Sequence, residues 1–356
     1  MERNIRKLAS IRRIDNIKPI ENADKIEIAQ VGGWNVVVKK GEFEKDGLAI
    51  YCEIDCLMPE RPEFEFLRAK HFRIRTMKMR GQISQGIIFP LSILGDKQND
   101  FKEDEDISEY LGITKYEPPI SPQLMGMAKG NFPTYLIPKT DEERIQNILN
   151  ILIEMKDKLC YITQKETGTS FTAYHHIVNN MEISEQEQYI GVCSRNLELK
   201  NEAFPGSDVN IYWKIAKQYD IENKLKKFYS DTGRNIAIQG EITGNGIEKN
   251  PLGLPRNIHQ LHLFNVYFID EHRYANYEDF ISVAKILEIP TVDVIYRGMF
   301  NFDLQQLLKM AEGKYPNTNN EREGIVIRPI EETFSETLQG RMSFKVINNL
   351  YLLKED

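Results

Sequence analysis

The stretch YITQKETGTSFT (Tyr161–Thr172) sets a lysine, Lys165, after a short apolar–polar alternation and just ahead of a glycine, Gly168. Further along come Arg195 in GVCSRN, Glu241 closing IAIQGE, Phe264 within HLFNVY, Glu323 ahead of GIVIR and Lys345 within SFKVI. One amine, two carboxylates and a second lysine, each at or near a strand end, suit nucleotidyl transfer through a covalent lysine adduct. The chemical demands are definite. An amine of ordinary lysine pKa is protonated at pH 7 and cannot attack phosphorus, so nearby cations or desolvation must lower that pKa. A second lysine and a bound metal supply positive charge and neutralise the charge developing on a phosphate. Carboxylates on separate strands can hold a divalent ion directly or through its waters, and a strand phenylalanine can stack on a purine. Local spacing does not single out Lys165, because Lys78-Met79-Arg80-Gly81 has the same pattern. Only Lys165 has the other groups in order behind it.

The elements that must position these groups change character along the chain. The first hundred or so residues read as β: KIEIAQV alternates, and GWNVVVKK and GLAIYCEID are short apolar runs bounded by turn residues. FRIRTMKMRGQISQGIIFPL puts Phe72 and Ile74 on one face and Arg73 and Arg75 on the other, with a β-bulge expected near Thr76–Met77. Several short strands with glycine-bearing turns predict a small closed barrel of the OB type over residues 1–120. A charged, irregular stretch, Asp96–Glu117, precedes a proline-bearing linker over 121–133. A second domain, 134–356, opens on TDEERIQNILNILIEM, where Thr140 as N-cap, Glu143 behind it and spaced apolar residues predict an amphipathic helix carrying Arg144. Strands then alternate with helical segments, VNIYWKIAKQYDIENKLKKFYS and YEDFISVAKILEI among them, which predicts an α+β domain with largely antiparallel sheets.

Composition narrows the classes. With 41% apolar and 28% charged residues, and no apolar run long enough for a membrane helix, the chain reads as soluble. The charged start MERNIRKLASIRRI lacks a signal peptide's apolar segment, so an intracellular, cytoplasmic protein is expected. Four scattered cysteines make neither a zinc site nor a disulfide framework. A net charge of −7 argues against bulk attraction to nucleic acid. Against that background, Arg68–Arg80 (RAKHFRIRTMKMR) has six basic and no acidic residues, and Arg73, Arg75, Lys78 and Arg80 are candidates for nucleic-acid contact. The bland alternative is a solvated strand. His175-His176 makes no metal pair, since adjacent strand residues face opposite ways.

The ordered set resembles the six motifs of the covalent nucleotidyltransferase superfamily of ATP-dependent DNA ligases, RNA ligases and capping enzymes. KETG is similar to motif I, SRN to the motif Ia of RNA ligases, QGEITGNGI to motif III, LFNVY to motif IIIa, EGIVIR to motif IV and SFKVI to motif V. LASIRRIDNIKPIENADKIEIAQVGGWNVVVKKGEF, FRIRTMKMRGQISQGIIFPL and PKTDEERIQN resemble the ATP-dependent RNA ligases of the Naegleria/Deinococcus type. Those place an OB domain ahead of the nucleotidyltransferase (ATP-grasp-like ligase) domain.

The resemblance implies a role for each matching residue. Lys165 would attack the ATP α-phosphate and keep AMP; Lys345 would contact that phosphate; Glu241 and Glu323 would position Mg²⁺ or Mn²⁺. Phe264 would stack on adenine with Ile325 or Val326 on its other face, Thr163 or Gln164 would read the adenine edge, and Gly168 would line the nucleotide site. Arg195 and Asn196 would meet the nucleotide or an RNA end, and Arg144 the leaving pyrophosphate. The partners implied are RNA ends, or RNA/DNA hybrid nicks, with the protein a monomer. Three departures stand out: Thr167 and Asn265 where the family often has Asp, and Ile347 where it often has a second lysine, with Lys354 as a substitute. They motivate the competing reading of a catalytically impaired RNA-binding homologue; a capping-type guanylyltransferase is a further alternative.

Overall fold

A computed structural model of the chain describes residues 6–180, 185–202 and 210–354. The first part is the expected barrel. Its strands are β1 (Ala9–Arg13), β2 (Asn16–Pro19), β3 (Ile26–Val31), β4 (Trp34–Lys39), β5 (Leu48–Cys52), β6 (Cys56–Leu57), β7 (Met77–Met79), β8 (Gln82–Ser84), β9 (Ile87–Phe89) and β10 (Thr114–Lys115). They pair as β1-β5-β9, β2-β3-β4, β10-β6 and β7-β8. Period-2 alternation in β4 turns Trp34, Val36 and Val38 inward, where they meet Ile11, Ile50 and Phe64. The charged stretch before the second domain is tied to this core, because Ile107, Leu111 and Ile113 are buried in it.

One local expectation fails here for a clear reason. No bulge forms at Thr76–Met77. Phe72 has a left-handed φ of 57°, and a separate hairpin begins at Met77, turning through Arg80 (φ 48°) and Gly81 (φ 81°). Two successive positive φ values suit the tight hairpin turn whose twist matches its strands. Phe72 and Ile74 are nonetheless buried as the alternation demands.

The second part has two facing sheets. Its strands are β11 (Ala128–Asn131), β12 (Glu143–Arg144), β13 (Leu159–Lys165), β14 (Thr169–Asn180), β15 (Glu185–Cys193), β16 (Leu197–Leu199), β17 (Ile236–Gly244), β18 (His259–Phe268), β19 (Arg273–Tyr274), β20 (Val294–Met299), β21 (Gly324–Pro329), β22 (Phe334–Ser335), β23 (Gly340–Arg341) and β24 (Phe344–Ile347). One sheet has the order β11-β16-β15-β14-β17-β18-β19, the other β12-β24-β21-β13-β20. Every ladder in them is antiparallel except β12 with β24. Helices Ile211–Gln218, Ile221–Thr232 and Tyr277–Ile286 cover the outer face of the larger sheet, burying Trp213, Leu225 and Phe280 against Phe171, Ile238 and Leu263. The single helix expected over Val209–Ser230 is two, broken at Asp220 (φ 51°); Val209 itself lies outside the described residues. Helix Leu304–Ala311 backs the smaller sheet, with Leu307 among Ile162, Ile325 and Phe344.

The helix expected from Thr140 does not form. Glu143–Arg144 is a short parallel strand, Ile145–Asn147 a 3₁₀ turn, and helix appears only over Ile151–Met155. Ion pairs override the local preference. Asp141 reaches Lys115 and Lys345, and Glu142 reaches Arg328 in another direction, which extended backbone permits and a helix would not.

The two parts interlock. Ile347 and Leu352, at the end of the second part, are buried in the barrel's core. Trp34 Nε1 donates to Asn147 Oδ1 at 2.7 Å. Asp55 accepts from Arg73 at 2.7 Å in its own domain and from Arg144 at 3.0 Å across the junction. Burial alone would raise the Asp55 carboxyl, but Arg144 and Arg73 more than reverse this and hold it below the usual carboxylate range. A depressed carboxylate contributes stability above its unfolded pKa and loses it as pH falls through the folded value. Asp55→Asn is therefore expected to cost about 2 kcal/mol near neutral pH, the order for losing hydrogen bonds to a charged group. Urea unfolding should show that gap narrowing on acidification; an equal gap at every pH would exclude the ion pair as its source.

Candidate active site

Lys165 is the last residue of the interior strand β13, opposite Gly324 of the central strand β21. One row of paired residues crosses this sheet: Arg144 with Lys345, Lys345 with Val326, and Val326 with Thr163. Paired residues share a face, so Arg144, Lys345, Val326 and Thr163 line the cleft together, with Lys165 two residues beyond Thr163. Gln164 and Ile325 are paired one step out of phase, and Ile325 is in the core behind the sheet. Of the alternatives open in the sequence, Val326 and Thr163 are on the cleft face and Ile325 and Gln164 are not.

The facing wall is the larger sheet. Glu241 on β17 pairs with Ser170 and His262. Gly168 is required by close approach rather than by φ, since a Cβ there would lie 2.3 Å from the Ile242 carbonyl oxygen and 2.9 Å from Glu241 Cγ. The loop after Lys165 thus rests directly on the strand that carries Glu241. The β17–β18 register slips at Gln239/Gly240, and Phe264 is the extra residue. This bulge leaves Phe264 half-buried and outside the hydrophobic core, as an aromatic available to a ligand must be.

Lys165 Nζ lies 2.7 Å from Glu323 Oε1. Burial alone would lower the amine's pKa, but Glu323 and then Glu241 more than compensate, so the resting amine sits above the ordinary lysine range. The pair thus holds the resting amine protonated, and anything that drew Glu323 away would release it toward the neutral form. Lys345 goes the other way: burial lowers it, Asp141 raises it, and Arg144 and Lys165 lower it further. Glu241 is pushed up to about 8 by burial, against Lys165 and with Glu323 and Glu166.

Several contributors gave no usable signal in the sequence. Tyr315 clasps the centre: its hydroxyl accepts from the Thr167 and Glu323 amides at 3.0 and 3.4 Å and donates to the Lys165 carbonyl at 3.3 Å. Thr167 Oγ1 donates to Glu323 Oε2 at 3.2 Å, so this departure orients the carboxylate. Ile347, a second departure, packs into the barrel core. Asn265 bridges Gln239 at 3.2 Å and Arg341 at 2.8 Å. Glu166 is paired with His262 at 2.8 Å. Asp141 gathers Lys115 (2.6 Å), Lys345 (3.3 Å) and Arg195 (3.4 Å), one cation from the barrel and two from the cleft.

The other predicted residues divide. Asn196 accepts from Lys139 at 3.1 Å beside Arg195. Lys354 pairs instead with the part-buried Glu321 at 3.5 Å. Arg73 is held by Asp55 and stacked 4.0 Å over Tyr116, and Arg75 is half-buried, while Lys78 and Arg80 are exposed on the hairpin.

The donor set fits an anionic nucleotide and a hydrated cation. Arg144 is buried beside Lys345, yet its Nε and Nη1 have no partner, which suits a phosphate. Among the described residues no three His, Cys, Asp or Glu side chains converge as a full metal shell. Two carboxylates, Glu241 and Glu323, suit an ion that keeps most of its water. Glu323→Gln should lower the titration midpoint of the Lys165 amine, read by mass spectrometry as the pH dependence of its acetylation. An unmoved midpoint would show that the pair does not hold the proton.

An OB-fold domain model matches residues 8–91, and the RNA ligase family model matches residues 158–347. No curated protein matches the chain. Among solved structures, a lysine-to-alanine mutant of Naegleria gruberi RNA ligase with ATP and Mn is 34% identical, with TM-score 0.82, covering 98% of this chain and 99% of that one. The same ligase with PPi is 35% identical over the same shares, again with TM-score 0.82. The barrel-first order, the cleft between two antiparallel sheets and these matches agree: the chain belongs to the RNA ligase family.

Proposed function

We propose that this ATP-dependent RNA ligase joins a 3′-OH end to a 5′-phosphate end in three steps, with Lys165 as the nucleophile. The carrying observation is the meeting of Lys165, Glu323 and Glu241 across two sheets, with Lys345 and the half-satisfied Arg144 alongside. Lys165 Nζ forms a bond to the ATP α-phosphorus as the bond to the bridging oxygen breaks and pyrophosphate leaves. An oxygen of the RNA 5′-phosphate then attacks that phosphorus, and Nζ departs and regains a proton. The 3′-OH finally attacks the activated 5′-phosphate, expelling AMP.

In this scheme Lys345 balances charge on the α-phosphate, and Arg144 gives its free N–H groups to the departing phosphates. Val326 and Phe264 flank the adenine, and Thr163 faces its edge. Glu241 and Glu323 would hold a hydrated Mg²⁺ or Mn²⁺, which supplies positive charge near the α-phosphate and competes with Lys165 for Glu323. The Naegleria ligase structures with ATP and Mn support both ligands here. The roles found for Thr167 and Ile347 favour an active enzyme over an impaired homologue. We further assign a monomer, a cytoplasmic setting and action on RNA ends or RNA/DNA hybrid nicks. Among the described residues no helix is long and apolar enough to cross a membrane.

Incubation with ATP and Mn²⁺ should add one AMP to the protein by intact mass, and Lys165→Ala should abolish the adduct. A wild-type protein of unchanged mass would refute the assignment. Lys345→Ala should slow adduct formation by about 10²-fold or more, the order seen when a transition-state charge partner is lost.

A further inference from the structure

Tyr135 is 87% exposed, more than any other large hydrophobic or aromatic residue among those described. A tyrosine so bare is unusual, and the segment that presents it is firmly built. Phe132 and Ile137 on either side are buried together with Tyr174, Ala237 and Tyr267 on the cleft side of the larger sheet. The amides of Leu136 and Ile137 both donate to the Pro133 carbonyl at 3.0 Å. Gln239 Nε2 donates to the Pro138 carbonyl at 3.0 Å. The ring is thus carried on a pinned turn, which limits the ordering cost of anything that stacks on it.

The same turn is joined to the residues matched to motif Ia. The Phe132 amide donates to the Asn196 carbonyl at 2.9 Å, and Lys139 Nζ donates to Asn196 Oδ1 at 3.1 Å. Arg195, next in the chain, reaches Asp141, which also holds Lys345 of the cleft. From Tyr135 the path therefore runs through Lys139 and Arg195, both exposed cations, to the phosphate lysine. An aromatic platform followed by cations is the arrangement by which proteins track a nucleic-acid strand, bases on the ring and phosphates on the charges.

We infer that Tyr135 stacks on a nucleobase of the RNA end being joined, with Lys139 on the adjacent phosphodiester, forming a strand-binding subsite outside the nucleotide pocket. The inference rests on the ligase reading and deepens it. RNA is favoured over a protein partner because the flanking exposed side chains, Lys139 and Arg195, are cationic and lead into the cleft.

The test is fluorescence anisotropy with a labelled, nicked RNA duplex bearing a 5′-phosphate, which does not require adduct formation. Tyr135→Ala should weaken binding about tenfold, within the range for removing one base-stacking ring. Tyr135→Phe should bind as the wild type, and Lys139→Ala should reduce the salt dependence by about one phosphate contact. AMP-adduct formation should be unchanged in all three. Unaltered RNA affinity in Tyr135→Ala would overturn the subsite, as would slowed adduct formation or a lowered Tm, which would mark Tyr135 as structural. Failure of the wild type to form the adduct would instead count against the ligase reading, leaving anisotropy to decide the subsite.

Discussion

The Lys165–Glu323 ion pair is the constraint around which the second domain is arranged. It joins the end of β13 to the start of the adjacent strand β21, and Glu241 approaches from the opposite sheet. A buried amine needs compensation, and a buried carboxylate needs it too; each supplies the other's. The consequence is a Lys165 amine that rests protonated. A cation and a polyanion bound in the same cleft would redistribute these charges and draw Glu323 away from the amine. Tyr315 and Thr167 hold Glu323 from behind, one at its backbone amide and the other at its carboxylate.

A second charged junction ties the cleft to the barrel. Asp55 bridges Arg73 and Arg144, and Asp141 bridges Lys115, Arg195 and Lys345. Each carboxylate joins barrel cations to cleft cations, so the position of the barrel and the state of the phosphate site are coupled electrostatically. The basic segment beginning at Arg68 divides along the same line. Arg73 serves this junction and Lys78 and Arg80 face solvent, so neither bland nor functional reading covers the whole stripe.

Much of this architecture could be read from residue order. Alternation gave the barrel strands, and the ordered motifs gave the lysines, the carboxylates and Phe264. The failures share a cause. The segment after Thr140 has every local mark of a helix and is extended, because Asp141, Glu142 and Arg144 each answer to a partner far away in sequence. Tyr315 was invisible for the same reason: its value lies in three backbone contacts that no spacing rule connects to it. Thr167 read as a missing acid until its hydrogen bond to Glu323 gave it a task.

The bulge at Phe264 also works as a change of phase. Before it, Leu261 and Leu263 point into the helix-covered core; after it, Val266 and Phe268 do, although their numbering has switched from odd to even. Were the β17–β18 pairing continuous through this point, one half of β18 would turn inside out, sending Asn265 and Tyr267 into the helix-covered core and Val266 into the cleft. One bulged residue thus lets a single strand obey two alternation frames, and Phe264, at the splice, is left outside the core.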